Sequence, residues 1–251
     1  MRSERLGQRP RVVIVGGGFG GFAAAYELER LAKGAVESTL VSGDNSMTYT
    51  PFLPQAASGT LEPRHVVVPL RRALRRTRLL VGAAAHHDRE HRTIGFRSES
   101  GEEHELPYDQ LILAPGSVSR TAPVPGLSES AVGFKTLAQA IHLRNHVLKR
   151  LEAASVTADP WERQAQLTFV FVGGGYAGVE ALAELEDLVR DALAAFPDAH
   201  GLTPRWVLVE ATESIFPEVG SRLASYVLRQ LVDRGIEVRM GASSRTPEAA
   251  W

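Results

Sequence analysis

The pattern that most restricts this chain is a short apolar run that ends in a glycine fingerprint and passes into a helical pattern, and it occurs twice. Val12 to Val15 is β-branched throughout and runs into Gly16, Gly17 and Gly18, with Gly21 completing G-x-G-x-x-G. Phe19 to Leu31 takes up helical periodicity, and Ser38 to Val41 supplies the next strand of a βαβ unit. Leu167 to Val172 opens the second occurrence, and Gly173-x-Gly175-x-x-Gly178 follows the first fingerprint by 157 residues. Val179 to Phe196 then reads as an amphipathic helix and Trp206 to Val209 as a strand. A lone fingerprint is a weak signal, because glycine-rich turns are common. Two in the order strand, fingerprint, helix specify two nucleotide-binding halves, each with its own parallel sheet.

The chemistry explains the spacing. A pyrophosphate must come close to backbone N–H groups at a helix N-terminus, so the first glycine makes the turn, the second admits the phosphates and the third lets helix pack on strand. In the first turn these positions are Gly16, Gly18 and Gly21, with Phe19 and Gly20 between; in the second they are Gly173, Gly175 and Gly178, with Tyr176 and Ala177 between. Glu210 ends the strand after the second helix, where a carboxylate binds an adenosine ribose. It lies 37 residues after Gly173, and the long helix and the loop through Pro197 and Pro204 account for the excess over the usual ~20. No Arg or Lys directly follows Glu210, so a ribose 2′-phosphate meets a like charge and NADH is preferred over NADPH. The first unit differs: its strand ends at Ser42, with Asp44 two positions on, and either is a candidate for the ribose. Without one of them, roughly 1.5 to 3 kcal/mol of charge-assisted hydrogen bonding is lost, on the order of tenfold to a hundredfold in affinity.

Between the units, Val66 to Leu80 reads as a basic helical stretch, Leu79 to Val81 and Thr93 to Phe96 as short strands, and Leu111 to Ala114 as a buried strand ending at Pro115-Gly116. Ser117 to Ser130, with Pro123, Pro125, Gly126 and four serines, is the expected crossover, and Leu137 to about Ala154 is expected to be helical. The fold class is therefore α/β, with two Rossmann-like domains around central parallel sheets, the first incomplete, divided as 1–122 and 123–251. From Gly241 to Trp251 the doubly wound pattern stops, which reads as a truncated or altered C-terminus.

Composition removes several chemistries. With 28 Lys plus Arg against 29 Asp plus Glu the net charge is −1, which gives no reason to expect a nucleic-acid partner. Cysteine is absent, so this chain builds no disulfide, thiolate nucleophile or iron–sulfur cluster, and redox chemistry must come from a bound cofactor. No secretory apolar run and no 18-residue apolar window are present, and the expectation is a cytoplasmic chain.

Four stretches carry a family resemblance: Val12 to Gly21, Met47 to Gly59, Tyr108 to Gly116 and Phe171 to Glu180. In this order they resemble the type II NADH dehydrogenases, single-subunit NADH:quinone oxidoreductases of the two-dinucleotide flavoprotein superfamily, over about residues 11 to 240. The resemblance implies FAD at the first fingerprint, in 1–122, and NADH at the second, in 123–251. It implies that the Thr50 to Gly59 loop, with Thr50, Pro51 and Phe52, and the strand end Ala114-Pro115-Gly116 line the flavin. Glu180 would sit near nicotinamide and flavin and assist charge or proton transfer; it falls in the opening turns of a helix, where the dipole favours an anion. The implied reaction passes hydride from NADH to FAD and electrons to a quinone. Peripheral contact at the inner face of the cell membrane and a homodimer are further expectations of the resemblance. The superfamily's later Gly-Asp motif and the family's C-terminal membrane-attaching segment are not found, so the chain reads as the front part of such an enzyme. The alternatives are a non-catalytic dinucleotide-binding remnant and a reductase of a small iron–sulfur protein.

Other signals are weaker. Arg71, Arg72, Arg75, Arg76 and Arg78 read as a solvated helix face, with anionic lipid or a cofactor phosphate as the rival. His142 and His146 share a helical face without a catalytic Glu between them, and His86, His87 and His91 lack metal spacing, so no metal is assigned. A G-x-S-x-G elbow is missing.

Overall fold

The computed structural model describes residues 9–119, 124–195, 202–216 and 218–242. In chain order its elements are β1 Arg11–Val15, α1 Phe19–Ala32, β2 Glu37–Ser42, β3 Ser46–Thr48, α2 Leu53–Ser58, β4 Val67–Pro69, α3 Leu70–Ala73, β5 Arg78–Asp88, β6 Thr93–Ser98, β7 Glu103–Pro107, β8 Gln110–Leu113, α4 Leu127–Ser130, α5 Leu137–Val156, α6 Pro160–Gln166, β9 Thr168–Val172, α7 Tyr176–Leu193, β10 Arg205–Val209, α8 Ser221–Asp233 and β11 Glu237–Arg239. Two compact units result: one is Met1–Tyr49 with Val67–Val118, the other Thr50–Val66 with Ser119–Trp251. The contiguous 1–122 segment expected from sequence is thus interrupted by an excursion carrying α2, and the 122/123 junction lies outside the described residues.

The first unit is built on a sheet of order β7-β6-β5-β2-β1-β8. β8, β1, β2 and the start of β5 run parallel, and the later part of β5 pairs antiparallel with β6, which pairs antiparallel with β7. β1 explains its own sequence: Val12, Val13 and Ile14 are all buried, because alternate side chains enter different cores on the two sheet faces. Val12 and Ile14 pack with Ala25, Leu40, Leu70 and Leu79, while Val13 packs with Val41, Ile94, Phe96 and Tyr108. Where β5 changes partner stands Gly82, at φ +151°, and a side chain there would strike the Arg97 carbonyl and the Phe96 ring. β5 therefore continues to Asp88, well past the expected Val81. β3 and β4 form a small antiparallel pair that brackets the excursion.

The basic stretch from Val66 to Leu80 is not one helix. Only Leu70–Ala73 is α-helical; Leu74 leaves in extended conformation, and the N–H groups of Arg75, Arg76 and Thr77 turn to the carboxylate of Glu29 on α1, at 3.2, 2.8 and 2.7 Å. Three donors that a helix would direct to its own carbonyls are held by a side chain 46 to 48 residues away. The expected solvated helix face is therefore a pinned turn leading into β5.

The second unit has a parallel sheet of order β11-β10-β9. Its core joins Val147 and Leu151 of α5, Leu182 and Leu185 of α7, Leu208 of β10 and Leu231 of α8. Phe169 and Trp206 stack at 4.7 Å across neighbouring strands. α5 starts in a reciprocal cap between Thr136 and Gln139, and α6 has Asp159 as N-cap with Pro160 in its first turn. Leu53 and Ala57 of α2 enter this same core, so Thr50 to Gly59, read as a loop, is a 3₁₀ turn at Thr50–Phe52 followed by a helix. Buried Glu186 of α7 takes bonds from Arg190 and from Arg234 at the end of α8. Phe196, expected as the last residue of α7, lies outside the described residues, as does 243–251. Among the described residues no helix is long and apolar enough to cross a membrane.

Candidate dinucleotide-binding site

The two fingerprints fold alike. Gly16 and Gly173 both have φ near +105° (+105° and +107°), a conformation that a side chain disfavours, so each strand turns sharply out of its sheet. The Gly16 N–H is fixed to the Val41 carbonyl and the Gly173 N–H to the Val209 carbonyl, both at 2.8 Å. Gly21 and Gly178 lie so close to the carbonyl oxygens of Gly16 and Gly173 that a Cβ at either would overlap that oxygen. Each helix thereby packs on its own glycine turn without a side chain between.

Gly18 and Gly175 occupy the N-cap positions of α1 and α7. A Cβ at either would meet no atom within 4 Å, no side chain caps either helix, and neither first turn carries an acid. Uncapped N–H groups, the positive end of a helix dipole and open space beside the backbone are what a pyrophosphate needs, so the residues fit the group. In the first unit Ala114 walls the turn: its carbonyl is what a side chain at Gly16 would strike, and its Cβ lies 3.5 Å from that of a residue replacing Gly20. Pro115 and Gly116 continue from it, exposed, with Gly116 at φ +73°. Phe19 is exposed and meets Tyr49 edge-on at 5.5 Å.

The cradles differ at the middle glycine. In the second unit Glu210 is aimed at Gly174: its Oε2 accepts the Gly174 N–H at 2.5 Å, and its Oε1 accepts the N–H and hydroxyl of Thr212 at 2.8 and 2.9 Å. Burial pushes this carboxyl up, but the Thr212, Gly174 and Ala211 hydrogen bonds outweigh it and hold the pKa below the usual carboxylate value. In the first unit the corresponding place beside Gly17 is taken by buried Ser42, whose Oγ accepts the Asp44 N–H at 3.3 Å, while Asp44 itself is exposed. The same strand end thus presents a carboxylate in one cradle and a hydroxyl in the other.

The loop after Glu210 adds residues that sequence reasoning missed. The Phe216 N–H donates to the Gly174 carbonyl at 3.0 Å, its ring lies 4.7 Å from exposed Tyr176, and Phe216 itself is held at φ +50°. A bulky residue in the left-handed region is strained unless its surroundings fix it, as they do here. Ala177 is exposed in the first turn of α7.

Glu180 stands at the fifth residue of α7, past the N–H groups that concentrate the helix dipole. Burial raises its pKa first, and Glu184 one turn on raises it further, so here these two effects outweigh the dipole. Glu184 takes the Ser58 hydroxyl at 2.6 Å and the Gln55 amide at 3.3 Å, which ties α2 to α7. Glu184, Ser58 and Gln55 were also missed, although the i, i+4 spacing of Glu180 and Glu184 was visible in the sequence. Thr50, Pro51 and Phe52 sit in the second unit at the start of this segment. The histidines have separate partners: His86 with Glu105, His87 with Tyr108, His91 with Asp88, while His142 and His146 stack on each other.

Two like-built glycine cradles at the ends of parallel strands, uncapped for phosphate, are the mark of the two-dinucleotide fold class. The chain belongs to the pyridine nucleotide-disulphide oxidoreductase family, whose profile matches residues 10–249. Within it, the chain is similar to the type II NADH:quinone oxidoreductases Ndh and NdhA of Mycobacterium tuberculosis, at 31% identity over 239 residues and 34% over 241, covering 94% of this chain in both and 51% and 50% of those proteins. NDH2 from Plasmodium falciparum in complex with NADH superposes with a TM-score of 0.85 at 25% identity, over 93% of this chain and 48% of that one. The chain spans about half the length of the curated relatives it matches.

Proposed function

We propose that this chain carries the FAD- and NADH-binding parts of a flavin-dependent NADH:quinone oxidoreductase. The observation that carries the proposal is the pair of like-built cradles, of which the second alone offers a carboxylate at the ribose position. In this reading the unit containing β1 holds FAD and the unit containing β9 holds NADH. Bound FAD would take hydride from NADH and pass two electrons to a quinone. The chain's residues supply the rest. The amides at the starts of α1 and α7 hold the two pyrophosphates; Ala114, Pro115 and Gly116 bound the first cradle. Glu210 accepts a ribose hydroxyl and repels a 2′-phosphate, which favours NADH over NADPH. Glu180, whose proton affinity burial and the neighbouring Glu184 raise, gives up a proton less readily than an ordinary carboxyl. The relatives named as NADH:quinone oxidoreductases support the acceptor, and because quinones dissolve in membranes the reading includes peripheral contact with one, at the inner face of the cell membrane.

The test is the visible spectrum of the purified 251-residue chain with and without added FAD, followed by NADH without oxygen. A bound yellow flavin that bleaches supports both cofactor assignments. A colourless protein that takes up no FAD sinks the flavoprotein assignment for this chain and leaves a dinucleotide-binding remnant.

A further inference from the structure

From Val67 to His87 the chain carries five arginines and two histidines and no acidic residue, in a protein whose net charge is −1. The five arginines fall within residues 71 to 78, and all are exposed. Arg71 and Arg72 stand on α3, Arg75 and Arg76 on the turn, and Arg78 opens β5. Among the described residues none of their side chains enters an ion pair. Their backbone is not loose. Glu29 holds the N–H groups of Arg75, Arg76 and Thr77, so the arginines are presented from a fixed edge. The other charges on that helix are Glu27 with its partner Arg30 and, one turn after Glu29, exposed Lys33. One turn before Glu29 is Tyr26, half exposed at 51%, its ring stacked on Phe22 at 6.0 Å. The result is a cationic edge of five arginines and a lysine beside an amphipathic ring.

We infer that this edge of the first unit, centred on Arg71 to Arg78 with Lys33 and Tyr26, docks on an anionic lipid surface. Charge complementarity selects an anionic partner. Tyr26 selects a bilayer over a soluble polyanion, because an amphipathic ring beside basic side chains suits the headgroup layer. The inference rests on the quinone reading in one respect, that a lipid-dissolved acceptor requires the protein at a membrane. Each basic residue near an anionic surface strengthens binding about fivefold, so removing two arginines weakens it about 25-fold.

Flotation of the full chain with vesicles of neutral phosphatidylcholine, and with vesicles of phosphatidylcholine mixed with phosphatidylglycerol, tests this at low and high salt. The expected result is binding to the anionic vesicles alone, lost at high salt. Binding should fall in both R71Q/R72Q and R75Q/R76Q and persist in K149Q/R222Q, which removes two exposed cations elsewhere. Thermal melts of each variant show whether it is folded, and the two independent pairs keep the test decisive if one fails. Indifference to lipid charge, equal loss in the control pair, or retention on single-stranded RNA without retention on vesicles overturns the inference. Vesicle binding without NADH oxidation would retain the docking edge and reject the quinone reading. Turnover with a water-soluble quinone and no vesicle binding would do the reverse.

Discussion

One methyl group, placed at either of two glycines three residues apart, separates what the second cradle needs for folding from what it needs for its ligand. In Gly178→Ala the new Cβ overlaps the Gly173 carbonyl oxygen, a backbone atom, and Gly173 is tied to the sheet by its N–H bond to the Val209 carbonyl. α7 must shift from the turn, and forcing an extra methyl into packed structure costs about 1–3 kcal/mol. With a urea dependence of about 1–3 kcal/mol/M, the unfolding midpoint should fall by about 1 M. In Gly175→Ala the new Cβ meets nothing within 4 Å, and φ −77° suits any residue. Its stability should stay within about 0.5 kcal/mol, the range of harmless surface changes. The space it fills is the space assigned to phosphate, so NADH affinity should drop at least about tenfold, or 1.4 kcal/mol. Urea unfolding followed by tryptophan fluorescence and calorimetric titration with NADH read the two quantities separately. If Gly178→Ala leaves the midpoint in place, or Gly175→Ala lowers it while NADH binds as before, the division of labour between these glycines is wrong.

Further outcomes follow from the carboxylates. Glu210→Gln removes the charge that repels a 2′-phosphate, and the ratio of NADH to NADPH affinity should narrow by about tenfold, an interaction of about 1.4 kcal/mol, in parallel titrations. Glu29→Ala frees three backbone donors, and hydrogen exchange at Arg76 and Thr77 should accelerate with a loss of about 2 kcal/mol. Arg205 and Arg239 hold Glu237 down to about 2, from 4.5 unfolded; its contribution is present above about pH 4.5 and is lost as pH falls toward 2, so Glu237→Gln should converge with wild type in acid melts. Glu180 has the opposite sign: its raised folded pKa makes ionisation cost stability as pH rises, so Glu180→Gln should melt higher than wild type at pH 8 and equally at pH 4.

What could be read from the chain was whatever repeats or pairs locally. Both fingerprints, both following helices and β1 announced themselves because a strand covered on two faces has to be apolar at every position, as Val12 to Ile14 are, whereas β8, expected to be buried, is apolar but only half-buried at Leu111 and Ile112 and exposed at Leu113. β7, Glu103–Pro107, was hidden because it is largely exposed and polar. The end of the basic stretch was hidden for another reason: Glu29 overrides helical propensity from 46 to 48 residues away, and no local window contains it. α2 was mistaken for a loop because a six-residue helix with Pro54 near its start has almost no periodicity to show. Ser42 and Glu210 were picked by position, and both do face the middle glycines, whereas the Ser58–Glu184 bond joins residues 126 apart and left no trace in spacing.

That separation also bears on how the polypeptide is made. At ~5–20 residues per second on the ribosome, Ser58 is added some 6–25 seconds before Glu184. For that interval Leu53, Ala56 and Ala57, all buried in the finished protein, lack the helix they pack against, while the strands of the first sheet are made in full by Leu113. Synthesis therefore makes the strands of the first unit around a 17-residue excursion whose apolar side chains find their cover only once the second unit has been made.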